Sequence, residues 1–252
     1  MNGIADGEIG FYHLGYSLAV MLGLFSQGIG GIAQSVFSEA YARQGKAGLG
    51  VSWTMITKVF ILMALPIYIF ALFHAPSIFR IFYGEEYVGT SLILQIFIIS
   101  TFIRIIIGSS FCMPAFYLLH QKKKGVAVQV VGGVINVILD LLLIPLYGVW
   151  GAVTATAFSL VVTGVSQTII LSRKIEIFPP LFFTGKIILA CLLAILPTLL
   201  LELSNLYTFT LAGIVYGVTF LIIMSVLKPL GNEEKEMVKA VNPHLAAVAR
   251  YF

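Results

Sequence analysis

Apolar residues run along this chain in seven long stretches, roughly Ile9 to Ala33, Val51 to Phe73, Ser91 to Leu119, Gly125 to Ile144, Val149 to Leu171, Leu181 to Leu201 and Tyr207 to Leu227. Each reaches or exceeds the roughly 17–25 residues that a helix needs to cross the hydrocarbon core. The pattern predicts an all-α polytopic membrane helix bundle of about seven transmembrane helices. The short segments FYGEEYVG and IPLYGVWG join consecutive stretches and make the flanking helices antiparallel neighbours. Between the first two stretches, SEAYARQGKAG is amphipathic, as expected of a helix lying on the membrane surface or of an extension of the first span. Pro66, Pro114 and Pro197 are expected to kink spans two, three and six. Membrane helices tolerate such prolines where neighbours re-satisfy the freed carbonyls.

The basic residues fall in alternate gaps. Of the fifteen Lys and Arg, thirteen lie in or beside the segments after spans one, three, five and seven, among them Arg43, Lys46, Lys58, Lys122, Lys123, Lys124, Arg173, Lys174 and Lys186. The other gaps carry Arg80 beside Glu85 and Glu86, and then Glu202 alone. By the positive-inside rule this sets the N-terminus outside and the C-terminus in the cytoplasm of a cell-membrane protein. Lys58 can snorkel from the start of span two to the inner headgroups.

Composition agrees. Hydrophobic residues make up 59% of the 252 and charged ones 10%, with a mean hydropathy of +1.01. A soluble domain carries about a quarter charged residues. The net charge of +4 therefore belongs to membrane-flanking loops, with membrane lipids and no nucleic acid as partners. Cys112 and Cys191 fall inside spans, so no disulfide or zinc framework is implied. A polar MNGIADGE segment precedes the first span where a signal peptide would have a basic one. The opening Met1–Asn2–Gly3–Ile4–Ala5–Asp6 reads like an inter-helix loop, and the chain is expected to be the C-terminal part of something longer. The bundle is assigned to residues 1–231 and a short cytoplasmic helical tail to 232–252. Asn232 would cap that tail, Glu233, Glu234 and Glu236 would follow in its first turn, and Pro243 would interrupt it.

Several spans carry polar seams. Gln129, Gly133, Asn136 and Asp140 recur at offsets of four, three and four, which places them on one face of span four. Span five repeats the device with Ala152, Thr156, Ser159, Thr163 and Gln167, and span one with His13, Ser17, Gln27, Gly31, Gln34 and Ser38. Small and hydroxyl residues of this kind let membrane helices pack closely, and that is the reading for span five and for Gly213-x-x-x-Gly217 in span seven. Arg104 is different. It lies about fourteen residues from either end of span three, beside Ser100, Thr101 and Gly108. An arginine there costs at least about 2.5–3.5 kcal/mol, and such residues face a bundle interior or a wet cavity. The alternative is a buried ion pair with Asp140. About five residues from the outer end of span four, Asp140 sits roughly 13 Å away in depth at about 1.5 Å per residue. Asp140 itself can be hydrated near the interface, and His13 reads as an interfacial residue. No metal-binding, nucleotide-binding or nucleophile motif occurs. Binding and conformational change, without catalysis, metal or cofactor, are what the residues suggest.

Three stretches carry a resemblance: EIGFYHLGYSLAVML in span one, LPIYIFALFHAPSIFRIFYGEEY across the end of span two, and NVILDLLLIPLYGVWGAVTATAFS across spans four and five. Together they resemble the C-terminal half of polysaccharide and oligosaccharide flippases, in the exporter superfamily that also holds the multidrug and toxin extruders. The resemblance covers most of the chain and is strongest from Glu8 to Ser159. Asp140 departs from it, standing where such proteins often have Asn. It implies helices eight to fourteen of fourteen, comprising the C-terminal lobe and two extra helices. Two pseudo-symmetric lobes would rock between outward- and inward-open states. The partner lobe would be a missing N-terminal half or a second copy. The implied cargo is a lipid-linked oligosaccharide, a polyprenyl-pyrophosphate-linked sugar, carried to the outer leaflet for cell-surface polysaccharide synthesis. Arg104, Asn136, Gln129, Asp140, His13 and Gln27 are the candidate cavity residues, since a pyrophosphate pairs well with a guanidinium in a low-dielectric site. Competing readings are an exporter of drugs or peptidoglycan precursor on the same fold, a membrane enzyme of glycan assembly, and a non-transporting scaffold.

Overall fold

In hydrocarbon every backbone N–H and C=O must be satisfied within the protein, which leaves helices as the economical way for these sequences to cross. The computed structural model describes residues 6–227, without the side chains of 6–9 and 25–29, and it is all-α with no strand among the described residues. The helices are α1 (Asp6–Phe73), α2 (Ala75–Phe82), α3 (Ser91–Ile106), α4 (Cys112–Leu118), α5 (Lys122–Tyr147), α6 (Val149–Ser172), α7 (Leu181–Leu199) and α8 (Leu206–Leu227). Six helical segments among the described residues are long and apolar enough to span a membrane, the first running from Gly30 to Phe73 after a shorter apolar stretch, Gly10–Leu24. The tail assigned to 232–252 lies outside the described residues.

Helix α1 joins the first two predicted spans. Its first arm continues unbroken through residues 34–44, so the amphipathic gap is an extension of span one, with Glu39 and Arg43 paired at 2.7 Å on its surface. The break comes at Gly45, with φ 61 and ψ −140, a conformation that glycine adopts at no steric cost. Five residues later an added Cβ on Gly50 would stand 2.4 Å from the carbonyl oxygen of Glu176. Glycine there lets the start of the second arm (46–73) press directly on the α6–α7 connection.

That second arm is the axis of the bundle. Trp53, Ile56, Phe60, Ala64, Leu65 and Tyr68 are fully or almost fully buried, and α1 packs against α3, α4 and α7. Because lipid tails are as apolar as leucine, van der Waals fit and polar contacts rather than water exclusion hold such helices together. Small residues on α7, Ala190, Cys191 and Ala194, lie at its buried face. At one end His74 Nε2 meets Thr198 Oγ1 at 2.9 Å, and Phe70 and Phe82 both pack on Phe209. The Gly45 bend, the α4–α5 turn and the α6–α7 connection gather at the other end, with the basic residues.

The third span departs from expectation. The backbone stays helical through Pro66, but span three does not continue to Pro114 and kink there. It stops at Ile106, turns through Gly108 in the left-handed region (φ 67, ψ 19) and a 3-10 turn at Ser109–Phe111, and restarts as α4. Pro114 then occupies the first turn of α4, where a missing N–H costs nothing. Gly108 decides the position of the break. A Cβ there would lie 2.3 Å from the Trp53 ring.

Helices α5 and α6 form an antiparallel hairpin about Gly148 (φ 58). The span-five seam packs as expected. Ser159 and Gln167 are buried, and Thr163 sits against Gly132 of α5 so closely that an added Cβ would lie 1.9 Å from its hydroxyl. In span seven the expectation fails. Gly217 has open space where a Cβ would go and Gly213 meets only Phe70 at 4.0 Å, so the glycine pair makes no close helix contact. Tyr216 anchors α8 instead, donating its hydroxyl to the Pro66 carbonyl at 3.0 Å.

Candidate functional site

Arg104 stands in the last turn of α3 because the helix ends two residues later. This answers part of the cost of a mid-membrane charge, since the carbonyl end of a helix is the negative end of its dipole. The broken end is closed from within. Ile107 N–H bonds Ile103 O at 3.2 Å, Gly108 N–H bonds Ile105 O at 3.0 Å, and Ser109 Oγ donates to the Arg104 carbonyl at 3.1 Å. Gly164 brings α6 against the arginine stem, its virtual Cβ 3.2 Å from Arg104 Cγ. The stem is thus clamped between two helices.

Arg104 borders a cavity of 380 Å³ between α1, α3 and α6. Arg104, Thr101 and Ser110 supply its polar lining, and Tyr16, Phe97 and Leu160 part of its apolar wall. Arg104 Nε is buried without a hydrogen-bond partner, and no ion pair to Asp140 or any other carboxylate forms among the described residues. A buried, unpaired cationic donor at the edge of a cavity can receive an anion by charge-assisted hydrogen bonding.

An aromatic stack continues from the cavity. Tyr16 packs edge-on against Phe97 with centroids 5.3 Å apart, and Tyr12 stacks on Tyr16 at 5.9 Å. The Tyr12 hydroxyl then meets Thr156 Oγ1 at 3.5 Å, and Asn136 Nδ2 donates to the same oxygen at 3.4 Å. One relay therefore links the arginine cavity to the polar face of α5. Tyr12 and Tyr16 were hidden in the sequence as members of an apolar run. Their spacing of four, beside Phe97 on another helix, was the available signal.

The six candidates from sequence separate in the structure. Arg104 lines the cavity, and Asn136 joins it through Thr156 and the tyrosines. Gln129 and His13 are exposed and outside the cavity lining. Asp140, one turn beyond Asn136, keeps Oδ1 buried without a hydrogen-bond partner. The side chain of Gln27 lies outside the described residues. The seam of span one faces outward, with His13, Ser17, Gly31, Gln34 and Ser38 all exposed, as are Gln129 and Gly133 on α5. Among the described residues no group of His, Cys, Asp and Glu has the arrangement of a metal site. No protein-family model matches the chain, and no curated protein matches it in sequence.

Proposed function

We propose that this membrane-spanning bundle is one lobe of a flippase that carries a lipid-linked oligosaccharide from the inner to the outer leaflet by alternating access. The observation that supports the reading most is the unpaired Arg104 at the end of a broken helix, bordering a cavity. A pyrophosphate would accept the guanidinium's forked donors, and the lipid tail would remain in the bilayer. The aromatic wall of Tyr16 and Phe97 would face the first sugars. The uncovered polar faces of α1 and α5 are where a second lobe or a second copy would sit. In this reading the basic end of the bundle is cytoplasmic and the protein resides in the cell membrane.

The test is flipping of a fluorescent polyprenyl-pyrophosphate sugar in proteoliposomes holding the assembled two-lobe transporter. Arg104→Gln is expected to abolish flipping with folded yield near normal. Arg104→Lys is expected to keep part of the rate, because an ammonium lacks the bidentate fork. Flipping that survives Arg104→Gln would overturn the reading. So would equal loss of folded protein in Arg104→Gln and Asp140→Asn with rescue in the double variant, the signature of a structural pair.

A further inference from the structure

A second cavity, of 330 Å³, lies at the basic end between the Gly45 bend and the α6–α7 connection, away from Arg104. Lys46, Lys174 and Glu176 supply its charged lining, and Ala47, Val51 and Ile175 the rest. Two backbone features build it. The left-handed Gly45 turns the chain so that Lys46 begins a new helical arm, and Gly50 seats that arm on the Glu176 carbonyl. Lys174 follows the end of α6 by two residues, so the cavity sits at the level where a spanning helix leaves the membrane. Neither lysine has an ion-pair partner among the described residues. On the membrane side the surroundings are apolar, with Val51, Phe178, Leu181 and Phe182 exposed.

We propose that this cavity holds the headgroup of an anionic phospholipid, its phosphodiester between Lys46 and Lys174 and its acyl chains along Val51 and the start of α7. Two ammoniums and one carboxylate leave a single net positive charge, which suits a monoanionic phosphodiester. Basic pockets between helix ends at a membrane surface bind such headgroups, and they do so more weakly as salt screens them. A bound lipid would bridge the α1 bend to the α6–α7 connection, so it would also stabilise the fold. The inference does not depend on the flippase reading.

The experiment uses the whole chain in neutral detergent, with native mass spectrometry for lipid binding and a thermal scan for stability. Phosphatidylglycerol is expected to bind and raise the melting temperature, and phosphatidylcholine to do neither. Lys46→Gln with Lys174→Gln should weaken phosphatidylglycerol binding about 30-fold, the worth of two lysines near an anionic surface. Lys46→Arg with Lys174→Arg should retain it, and so should Lys122→Gln with Lys123→Gln and Lys124→Gln. Equal binding of phosphatidylcholine, an undiminished affinity in the Lys46 and Lys174 double variant, or the same melting shift from inorganic phosphate alone would overturn the proposal. Loss of flipping by Arg104→Gln bears on none of these readings.

Discussion

The second arm of α1 and helix α5 are equally apolar, and their surroundings are opposite. Their most apolar eighteen-residue stretches share a mean hydropathy of 2.2, yet 56% of the residues are buried in the stretch ending α1 and 6% in that of α5. In water such a difference would be costly, but in lipid an exposed valine loses nothing. What separates the two helices is what can pack or pair. The α1 arm offers large aromatics, with Trp53 seated on Gly108 between α3 and α4 and Phe60 packed edge-on against Phe111. Helix α5 offers Gly132 to a single neighbour and turns Val130, Val134, Val137 and Leu141 outward. Apolarity decides that a segment enters the membrane. Steric fit decides where it goes.

The hardest test of that contrast is at Gly108, where α1 and the broken span meet. Gly108→Ala places a methyl group 2.3 Å from the Trp53 ring and forces a left-handed conformation on a residue with a Cβ. Overpacking costs about 1–3 kcal/mol, and the left-handed backbone adds about 1–2 kcal/mol. Folded yield in detergent should fall sharply. Trp53→Leu in the same chain should recover part of it by removing the ring. A normal yield for Gly108→Ala would mean that the break does not depend on this contact.

A smaller loss is expected at the edge. Gly132→Ala drives a methyl into the Thr163 hydroxyl and should part α5 from α6 locally, costing within the same overpacking range of about 1–3 kcal/mol. Thr163→Ala removes the obstructing hydroxyl and methyl, so the double variant should melt closer to the parent than Gly132→Ala alone. Thermal melting of the four proteins reads the coupling directly. Additive effects would show that the two residues do not touch.

These contrasts also show what the sequence made legible. Helix class followed from apolar length, with six described segments long and apolar enough to span where seven were expected, and the charge of Arg104 marked a residue that lines the cavity between α1, α3 and α6. The interruption beside it was not legible, because Pro114 is the more obvious breaker and Gly108 looks like one small residue among many. The left-handed backbone there and the ring of Trp53, fifty-five positions earlier, make that glycine obligatory. The outlook of the span-one seam was not legible for a related reason. Helical periodicity groups His13, Ser17, Gly31, Gln34 and Ser38 on a face but does not say whether the face looks into the bundle or away from it.

At the junction of α1 and α2 the contrast becomes one of pH. Thr198 Oγ1 donates to Ile195 O at 2.7 Å, so His74 Nε2 must carry the proton in its bond to Thr198. Burial pushes the His74 pKa below its usual 6.5, which holds the ring neutral in the folded protein. The unfolded chain therefore binds the extra proton first. Stability from this site is fully present above pH 6.5 and declines as pH falls from there toward the lower folded value. Melting temperature should drop on acidification through about pH 6, and His74→Gln should flatten that slope. A slope unchanged in His74→Gln would place the sensitivity elsewhere.

The smallest effect belongs to Gly133, next to Gly132 but on the open face. An alanine there meets no atom within 4 Å, and glycine to alanine inside a helix is worth up to about 1 kcal/mol. For the chain by itself, Gly133→Ala should leave melting unchanged or raise it slightly, opposite in sign to its neighbour. In the proposed two-lobe flippase the same methyl would fall on the face expected to meet a second lobe or copy. There it should slow flipping or weaken assembly without lowering the stability of the isolated chain. If Gly133→Ala is silent in both settings, that face of α5 looks at lipid throughout the cycle, and the partner surface is confined to the exposed seam of α1.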